Sequence, residues 1–339
     1  MNKLALVIPG LLGPLPELEQ YNNVSPDCAV LQKWLACAQT VETTSRNYFQ
    51  LLAELFGINQ DYSIALLSAR VDDCKSSQGH WLRADPVHFK ADIDHAILLD
   101  CNRLDIRDDE ASALAAAFNA HFCDDGIELV IGHRHRWYLS FDKQMNIQTT
   151  SVHDAVGRNV NHFLPEGDDA LNWRRVLNET QMLFHGHDVN VEREAKGQMT
   201  INSLWLWGEG NDLQADKNRL WDWVMSNEVI VNGLALGSGI KSMPLETKND
   251  ESQLPEGNGV IVLDQLIGPT SYGDVSAWLD AVETLCRQWI DVLHRLLKSK
   301  QIQSLELYSA DGRMFKLTAS SLLKFWRSKK SVASYVSTQ

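Results

Sequence analysis

The chain has 339 residues and a mass of 38.2 kDa, ample for a buried core and enough for about two domains at roughly 150 residues each. Its 44 acidic residues outnumber 31 basic ones for a net charge of -13, which repels phosphate backbones and anionic membrane surfaces and excludes nucleic acid and membranes as expected partners. Hydrophobic content of 44% and mean hydropathy of -0.24 fit a packed globular chain, and no run reaches the roughly 18 to 20 apolar residues of a membrane span.

Leu4 to Ile8 is an apolar run too short for a signal peptide and without a small-residue cleavage site, so it predicts a first buried strand. Runs of the same kind recur at Ile64 to Leu67, Ala96 to Leu99, Ile127 to Ile131, Leu204 to Trp207, Val260 to Leu263 and Leu305 to Leu307. Helical stretches lie between them, and strands buried on both faces carry this pattern, which predicts an α/β sheet. Asp108-Asp109-Glu110 ahead of an alanine-rich run, and Asp168-Asp169 ahead of Leu171 to Phe184, place acids where helix N-termini favour them. The polar stretch Glu246 to Gly259 has no apolar period and predicts a mobile surface loop. After Asp274, the residues Trp278, Val282, Leu285, Trp289, Val292 and Leu296 keep helical spacing, with Arg295, Lys298 and Lys300 at the C-terminal end. Ser304 to Ser309 and Arg313 to Thr318 flank Asp311-Gly312, a dipeptide that tolerates positive φ, and predict a hairpin. Six cysteines (Cys28, Cys37, Cys74, Cys101, Cys123, Cys286) form no C-x-x-C pair. Neither a disulfide framework nor a zinc ribbon is expected, and a reduced cytoplasmic protein is the default.

Chemistry-bearing residues gather in the middle of the chain. On one strand, His133 and His135 would face the same way and reach one metal, with Arg134 and Arg136 opposite; the competing reading is a solvated strand face. His153, His162, His185 and His187 extend the histidine cluster. Arg83, Asp85 and His88, with Arg134, Arg136, Arg158, Arg174, Arg175 and Arg193, suit an anion pocket through their guanidinium forks, or ion pairs with nearby acids such as Asp85, Asp154 and Glu192. No glycine segment has dinucleotide or P-loop spacing. No G-x-S-x-G elbow exists, and Ser63 and Ser68 read as structural serines in or beside a buried strand. Trp205 and Trp207 run into Gly208-Glu209-Gly210, placing aromatic surface and a carboxylate at a strand's end, with core packing the slightly stronger reading; Trp221 and Trp223 read as packing.

Asn202-Ser203-Leu204-Trp205-Leu206-Trp207-Gly208-Glu209-Gly210 resembles the N-x-I-W-L-W-G-Q-G signature of the archaeal-type, cofactor-independent phosphoglycerate mutases of the alkaline phosphatase superfamily. His153-Asp154, Gly157, Leu164-Pro165-x-Gly167-x-Asp169-Ala170, Glu179, His187-Asp188-Val189-Asn190 and Arg193 follow the order of that family's P-H-D, L-P-x-G-x-D-A, E-S and D-H-P-V-N-x-x-R elements. The resemblance runs from about Ala84 to Met243, and Arg83-Ala84-Asp85-Pro86-Val87-His88 is also similar to the RpfE-type bacterial regulatory proteins, a related branch. It implies an alkaline-phosphatase-like core sheet with helices on both faces plus an inserted smaller α+β domain, divided as 1–80 core, 81–200 insert and 201–339 core. It also implies a serine nucleophile and two cations, manganese or zinc. Against that pattern, Ile8-Pro9-Gly10 puts proline where the family's first-strand Asp stands. Ile267 and Ser271 fall on its metal-binding Asp and His, no histidine follows Ser309 to Gly312, and no serine aligns as nucleophile around Asp61 to Asp73.

The expectation is therefore a catalytically degenerate, regulatory or ligand-binding pseudoenzyme with no metal cofactor. Its ligand-binding residues are expected to be Arg83, Asp85, His88, His153, Asp154, His187, Asn190, Arg193, Trp205, Trp207 and Glu209. The partner expected is a small anionic or phosphorylated ligand, or a protein. The alternative is an active phosphomutase or phosphatase using manganese or zinc on a relocated site built from His133, His135, His185 or His187.

Overall fold

The computed structural model describes residues 3–13, 26–45, 47–58, 61–75, 79–93, 95–143, 145–213, 220–245, 254–324, 326–327 and 332–335. Most of the polar stretch expected to be a loop, residues 246–253, lies outside them. The chain divides into two compact units, Met1–Asn59 with Gln214–Gln339, and Gln60–Leu213. The sequence reading set the insert at 81–200; the contacts set the second unit's limits at Gln60 and Leu213.

The discontinuous unit carries β1 (Lys3–Val7), β2 (Gln39–Glu42), β8 (Trp223–Met225), β9 (Lys241–Met243), β10 (Gly259–Val262), β11 (Ser304–Tyr308) and β12 (Arg313–Thr318) in one sheet, ordered β2-β12-β11-β1-β10-β8-β9. β1 runs parallel to both β10 and β11, with Leu4 opposite Gly259 and Leu305. A parallel strand at the centre of a sheet needs cover on both faces, which is why residues 4–7 of β1 and the whole of β10 are apolar, while β11 carries the buried Glu306 between its leucines. On one face, Leu4, Leu6, Ile261, Leu305 and Leu307 pack with Trp34, Trp278, Trp289 and Leu293. Those residues come from α1 (Ala29–Cys37), α10 (Val275–Leu285), α11 (Asp291–Lys298) and the π-helical turn Cys286–Ile290 that joins the last two. The Asp274 carboxylate starts α10 by accepting from Ala277 N at 2.9 Å. α2 (Tyr48–Leu55), α8 (Val229–Ser238) and α9 (Ile267–Ser271) complete the unit's α-helices among the described residues.

Two expectations change in this unit. Cys28, just before α1, is joined to Cys286 across 258 residues of sequence, so a disulfide exists where cysteine spacing indicated none. Spacing detects pairs that are close in the chain, whereas this pair is made by the fold, which brings the start of α1 against the start of the π turn. In the β11–β12 hairpin, Ala310 and Gly312 take positive φ (61° and 92°), and Asp311 instead binds Ser309 and Arg313 by its side chain.

The second unit holds an antiparallel sheet of β3 (His80–Ala91), β4 (Ala96–Leu99), β5 (Ile127–His133), β6 (Arg136–Phe141) and β7 (Ser203–Trp207). β3 organises it: Leu82 lies opposite Leu139 of β6, Asp85 opposite Trp205 of β7, and Lys90 opposite Ile97 of β4. One face is apolar, where Leu82, Ala84, Leu139, Leu204 and Leu206 pack with Leu114 and Phe118 of α4 (Asp108–His121) and Trp173 and Phe184 of α6 (Ala170–His185). Both helices begin on the predicted acids. α3 (Ile64–Val71), α5 (Val152–Ala155) and α7 (Asp188–Ala195) supply the remaining α-helices of the described part.

Asparagine amides stand in for missing strand partners. Asn119 of α4 accepts from Leu129 N at 2.7 Å and donates to Leu129 O at 2.9 Å, occupying the open edge of β5. Asn202 does the same at Phe89, and Asn190 at Ile201.

Two sequence readings are corrected here. Ile64 to Leu67 is helical, because a four-residue apolar run does not distinguish a strand from a buried helix face; the Ser63 hydroxyl caps the helix, accepting from Leu66 N at 3.0 Å. His133 ends β5 and His135 lies in the turn before β6, so the two do not share a strand.

Candidate functional site

The face of the β3–β6–β7 sheet opposite the apolar one is polar and aromatic, because β3 alternates Leu82 and Ala84 with Arg83 and Asp85. Arg83 and Asp85 are 5% and 2% exposed. Arg83 donates through Nε (3.0 Å) and Nη2 (2.6 Å) to one oxygen of Asp85, and Trp207 Nε1 donates to the other at 2.7 Å. The guanidinium lies between two rings, 5.2 Å from Trp207 and 5.4 Å from Tyr138. The edge of His153, from α5, meets Trp207 at 5.9 Å. Beside this group, Arg136 makes a two-point ion pair with Asp72 (2.8 and 2.7 Å), and Tyr138 donates to the same carboxylate at 2.6 Å.

These groups fix one another's protonation. Burial alone would lower Arg83, but the Asp85 carboxylate beside it leaves the guanidinium raised and permanently charged. Burial would raise Asp72, and the bonds from Arg136 and Tyr138 turn the balance so that its carboxyl stays below the ordinary range. Burial pushes His153 down, favouring the neutral imidazole, and pushes the nearby Cys101 thiol up, with Asp85 adding to the effect. Burial also raises the Cys74 thiol, to about 11, so neither cysteine is a thiolate nucleophile at neutral pH.

Of the eleven residues singled out from the sequence, four converge on this cluster: Arg83, Asp85, His153 and Trp207. Trp205, on the same strand face, instead donates Nε1 to Thr150 O at 2.8 Å. His88 holds Thr200 through Nδ1, and Asp154 turns to Ser151 at the start of α5. His187 caps α7, its Nδ1 accepting from Val189 N. Asn190 binds the main chain of Phe184 and Ile201. Arg193, 1% exposed, is occupied by Glu110 at 2.7 Å, Met199 O at 2.7 Å and Leu104 O. Glu209 accepts from both N and Oγ1 of Thr149. Of the histidines suggested as a relocated metal site, His133 and His135 come into ring contact, with centres 5.5 Å apart, and His187 caps α7; among the described residues no group of three or more His, Cys, Asp or Glu side chains is placed to hold a metal ion.

Sequence reasoning missed Asp72, which pairs with Arg136, and Tyr138, which donates to Asp72. The alternation of Tyr138 with Trp137 and Leu139 was a readable signal of a strand with one polar face; nothing local marked Asp72 as its partner.

The architecture is that of a mixed α/β protein with two sheets. A sequence model of the family described as 2,3-bisphosphoglycerate-independent phosphoglycerate mutase matches residues 76–190. The enzyme of that name from Methanosarcina mazei is 26% identical over 140 residues, which is 40% of this chain and 35% of the relative. The 2,3-bisphosphoglycerate-independent phosphoglycerate mutase 2 of Methanothermobacter thermautotrophicus is 29% identical over 139 residues, again 40% and 35%. Over the whole fold, the chain is similar to the PH0037 protein from Pyrococcus horikoshii, with a TM-score of 0.55 at 12% identity, covering 94% of this chain and 87% of that one. The chain is thus phosphoglycerate-mutase-like through most of its second unit, and the matched stretch spans about 35% of the length of those two mutases.

Proposed function

We propose that the protein is a ligand-binding or regulatory member of this fold group that does not carry out two-cation phosphoryl transfer. The observation that carries this reading is the chemistry of the strand ends in the discontinuous unit. β1 leads into Ile8-Pro9-Gly10, and the segment after β10 enters α9 with Ile267 and Ser271. Proline and isoleucine have no side-chain donor, and a neutral serine hydroxyl is a weak substitute for histidine, so these residues do not fit the cations used by the enzymes they resemble. The nearest sequence candidates for a nucleophile support the same reading. Ser63 is committed to capping α3 and to Gly208 O at 3.1 Å, and Ser68 donates back to Ile64 O within the helix. The similarity of Arg83 to His88 to RpfE-type regulatory proteins supports regulation over turnover. Chelator-stripped protein melted with and without manganese or zinc tests the reading. A native-state ligand at 100 times its Kd adds about 2.7 kcal/mol, and each kcal/mol moves Tm by about 2–4 °C for units of this size. The expected result is no shift. A saturable rise of about 5–11 °C, together with chelator-sensitive hydrolysis of a phosphomonoester, overturns it.

A further inference from the structure

The second unit contains a cleft of about 480 Å³ that no part of the proposal above uses, bounded by the start of α3, the first residues of β3, the end of β6 and the segment after β7. Its volume falls within the span of about 300–1,000 Å³ usual for small-molecule sites. Leu66, Trp81, Phe141, Met145 and Ile147 supply its apolar floor, with fully buried Leu82 behind them. Upon it lies a flat aromatic layer, the His80 ring stacked on Phe141 at 5.8 Å and 18°.

The rim is acidic. Among the described residues, Asp61, Glu209 and Asp212 line the cleft with one guanidinium, that of Arg70. That guanidinium is already engaged by Asp212 in a two-point pair at 2.7 and 2.8 Å, whose bond holds the Asp212 carboxyl below its ordinary range. Among the described residues that line the cleft, no Lys or Arg besides Arg70 stands with the carboxylates of Asp61 and Glu209. Glu209 is also preorganised, since Thr149 donates to both of its oxygens.

The wall behind these acids is fixed. Ser63 N donates to Asn211 O at 2.7 Å, and Ala65 N to Gly208 O at 3.0 Å, stitching the segment after β7 to the start of α3. Gly210 permits this approach: its φ is 137°, and a Cβ there would lie 2.5 Å from the carbonyl of Tyr62.

We propose that this cleft is a binding site for a small organic cation with a flat apolar body, an arylalkylamine in chemical class. The flat body covers His80 and the apolar floor, and the ammonium reaches Glu209 and Asp61. Two carboxylates beside an apolar lining favour a cation and disfavour the phosphorylated anion that the arginine content had indicated. The inference deepens the ligand-binding reading by naming the ligand class. It rests on that reading only in assuming a reversible ligand, and no metal enters its test, so the two fail separately.

Isothermal titration of the full chain with 2-phenylethylammonium, 2-phenylethanol and 3-phenylpropionate compares one apolar body with positive, neutral and negative ends. The cation is expected to bind saturably and about fivefold more tightly than the alcohol, the upper end of what a partly exposed ion pair contributes. The carboxylate is expected to bind more weakly than the alcohol, and added salt to weaken the cation alone. Glu209→Gln and Asp61→Asn are each expected to remove most of the cation's advantage. Asp61 is exposed and precedes α3, so its variant carries the test if the loss of Glu209 disturbs Thr149. No saturable heat from the cation, equal or tighter binding of the carboxylate, or full affinity in both variants overturns the proposal.

Discussion

Arg193 distinguishes a structural arginine from a ligand-binding one. Its guanidinium, from α7, is fully enclosed and ties Glu110 at the start of α4 to the carbonyls of Met199 and Leu104. Arg193→Met keeps much of the aliphatic stem and removes the charge, leaving the Glu110 carboxylate, 3% exposed, without this guanidinium and two carbonyls without their donor. Breaking one side of a buried pair costs up to about 3–5 kcal/mol, an upper bound here because the Arg107 backbone N–H and guanidinium still meet Glu110 at 2.9 and 3.4 Å. At about 2–4 °C per kcal/mol, Tm should fall by up to about 6–20 °C. The assay is thermal or urea unfolding of parent, Arg193→Met, Glu110→Gln and the double variant. Because the two side chains touch, the double variant should recover about 0.5–3 kcal/mol relative to the sum of the singles. A melting temperature unchanged in Arg193→Met, or strict additivity in the cycle, refutes the structural assignment and returns Arg193 to the ligand-binding set.

Other outcomes follow from the same geometry. Gly259 of β10 lies opposite Trp223, and a Cβ there would meet the indole at 2.1 Å; Gly259→Ala should cost about 1–3 kcal/mol by overpacking, and unchanged urea unfolding would contradict this. The Cys28–Cys286 bond closes a loop of 258 residues and links the two sequence segments of the discontinuous unit; reduction, or Cys28→Ser, should lower stability by about 2–4 kcal/mol, and alkylation of all six cysteines in folded, unreduced protein would rule the bond out. Burial lowers His88, His133, His135, His153 and His294 below the ordinary imidazole value of 6.5. The unfolded chain therefore takes up protons first as pH falls, so stability should be level above about pH 6.5 and decline below it, with His153→Gln flattening the decline; a denaturation midpoint that stays constant from pH 7 to pH 5 would count against it. Asp72 shifts the same way, downward, but because its charged form is the favoured one: its depressed carboxyl contributes above the ordinary value of 3.8, and that contribution is lost as pH falls below it.

Local sequence determined much of the secondary structure. The apolar runs at Leu4 to Ile8, Val260 to Leu263 and Leu305 to Leu307 became the central strands because a parallel sheet buries both faces of each. Asp274, the acids in the first turn of α4 and Asp169 before α6 marked helix starts because capping and the helix dipole act within one turn. The same local view failed where the signal was short or mixed. Ile64 to Leu67 has too few residues to show a period, and β3 was hidden by Arg83, Asp85 and His88, whose charges are tolerated in a strand because Asp85 neutralises Arg83 and accepts from Trp207 on a neighbouring strand. Motif order placed Arg83, Asp85, His153 and Trp207 in one stretch of chain, and the fold made them neighbours. The same order grouped Asn190, Arg193 and His187 with them, although these side chains cap helices or bind main chain elsewhere in the unit. The joining of Cys28 to Cys286, the closing of Asp72 on Arg136 and Tyr138, and the meeting of His80, Phe141 and Glu209 around one cleft were decided by tertiary structure alone. Each depends on the path the chain takes between distant residues, and that path is set by the packing of whole strands and helices rather than by the spacing of the residues that finally touch.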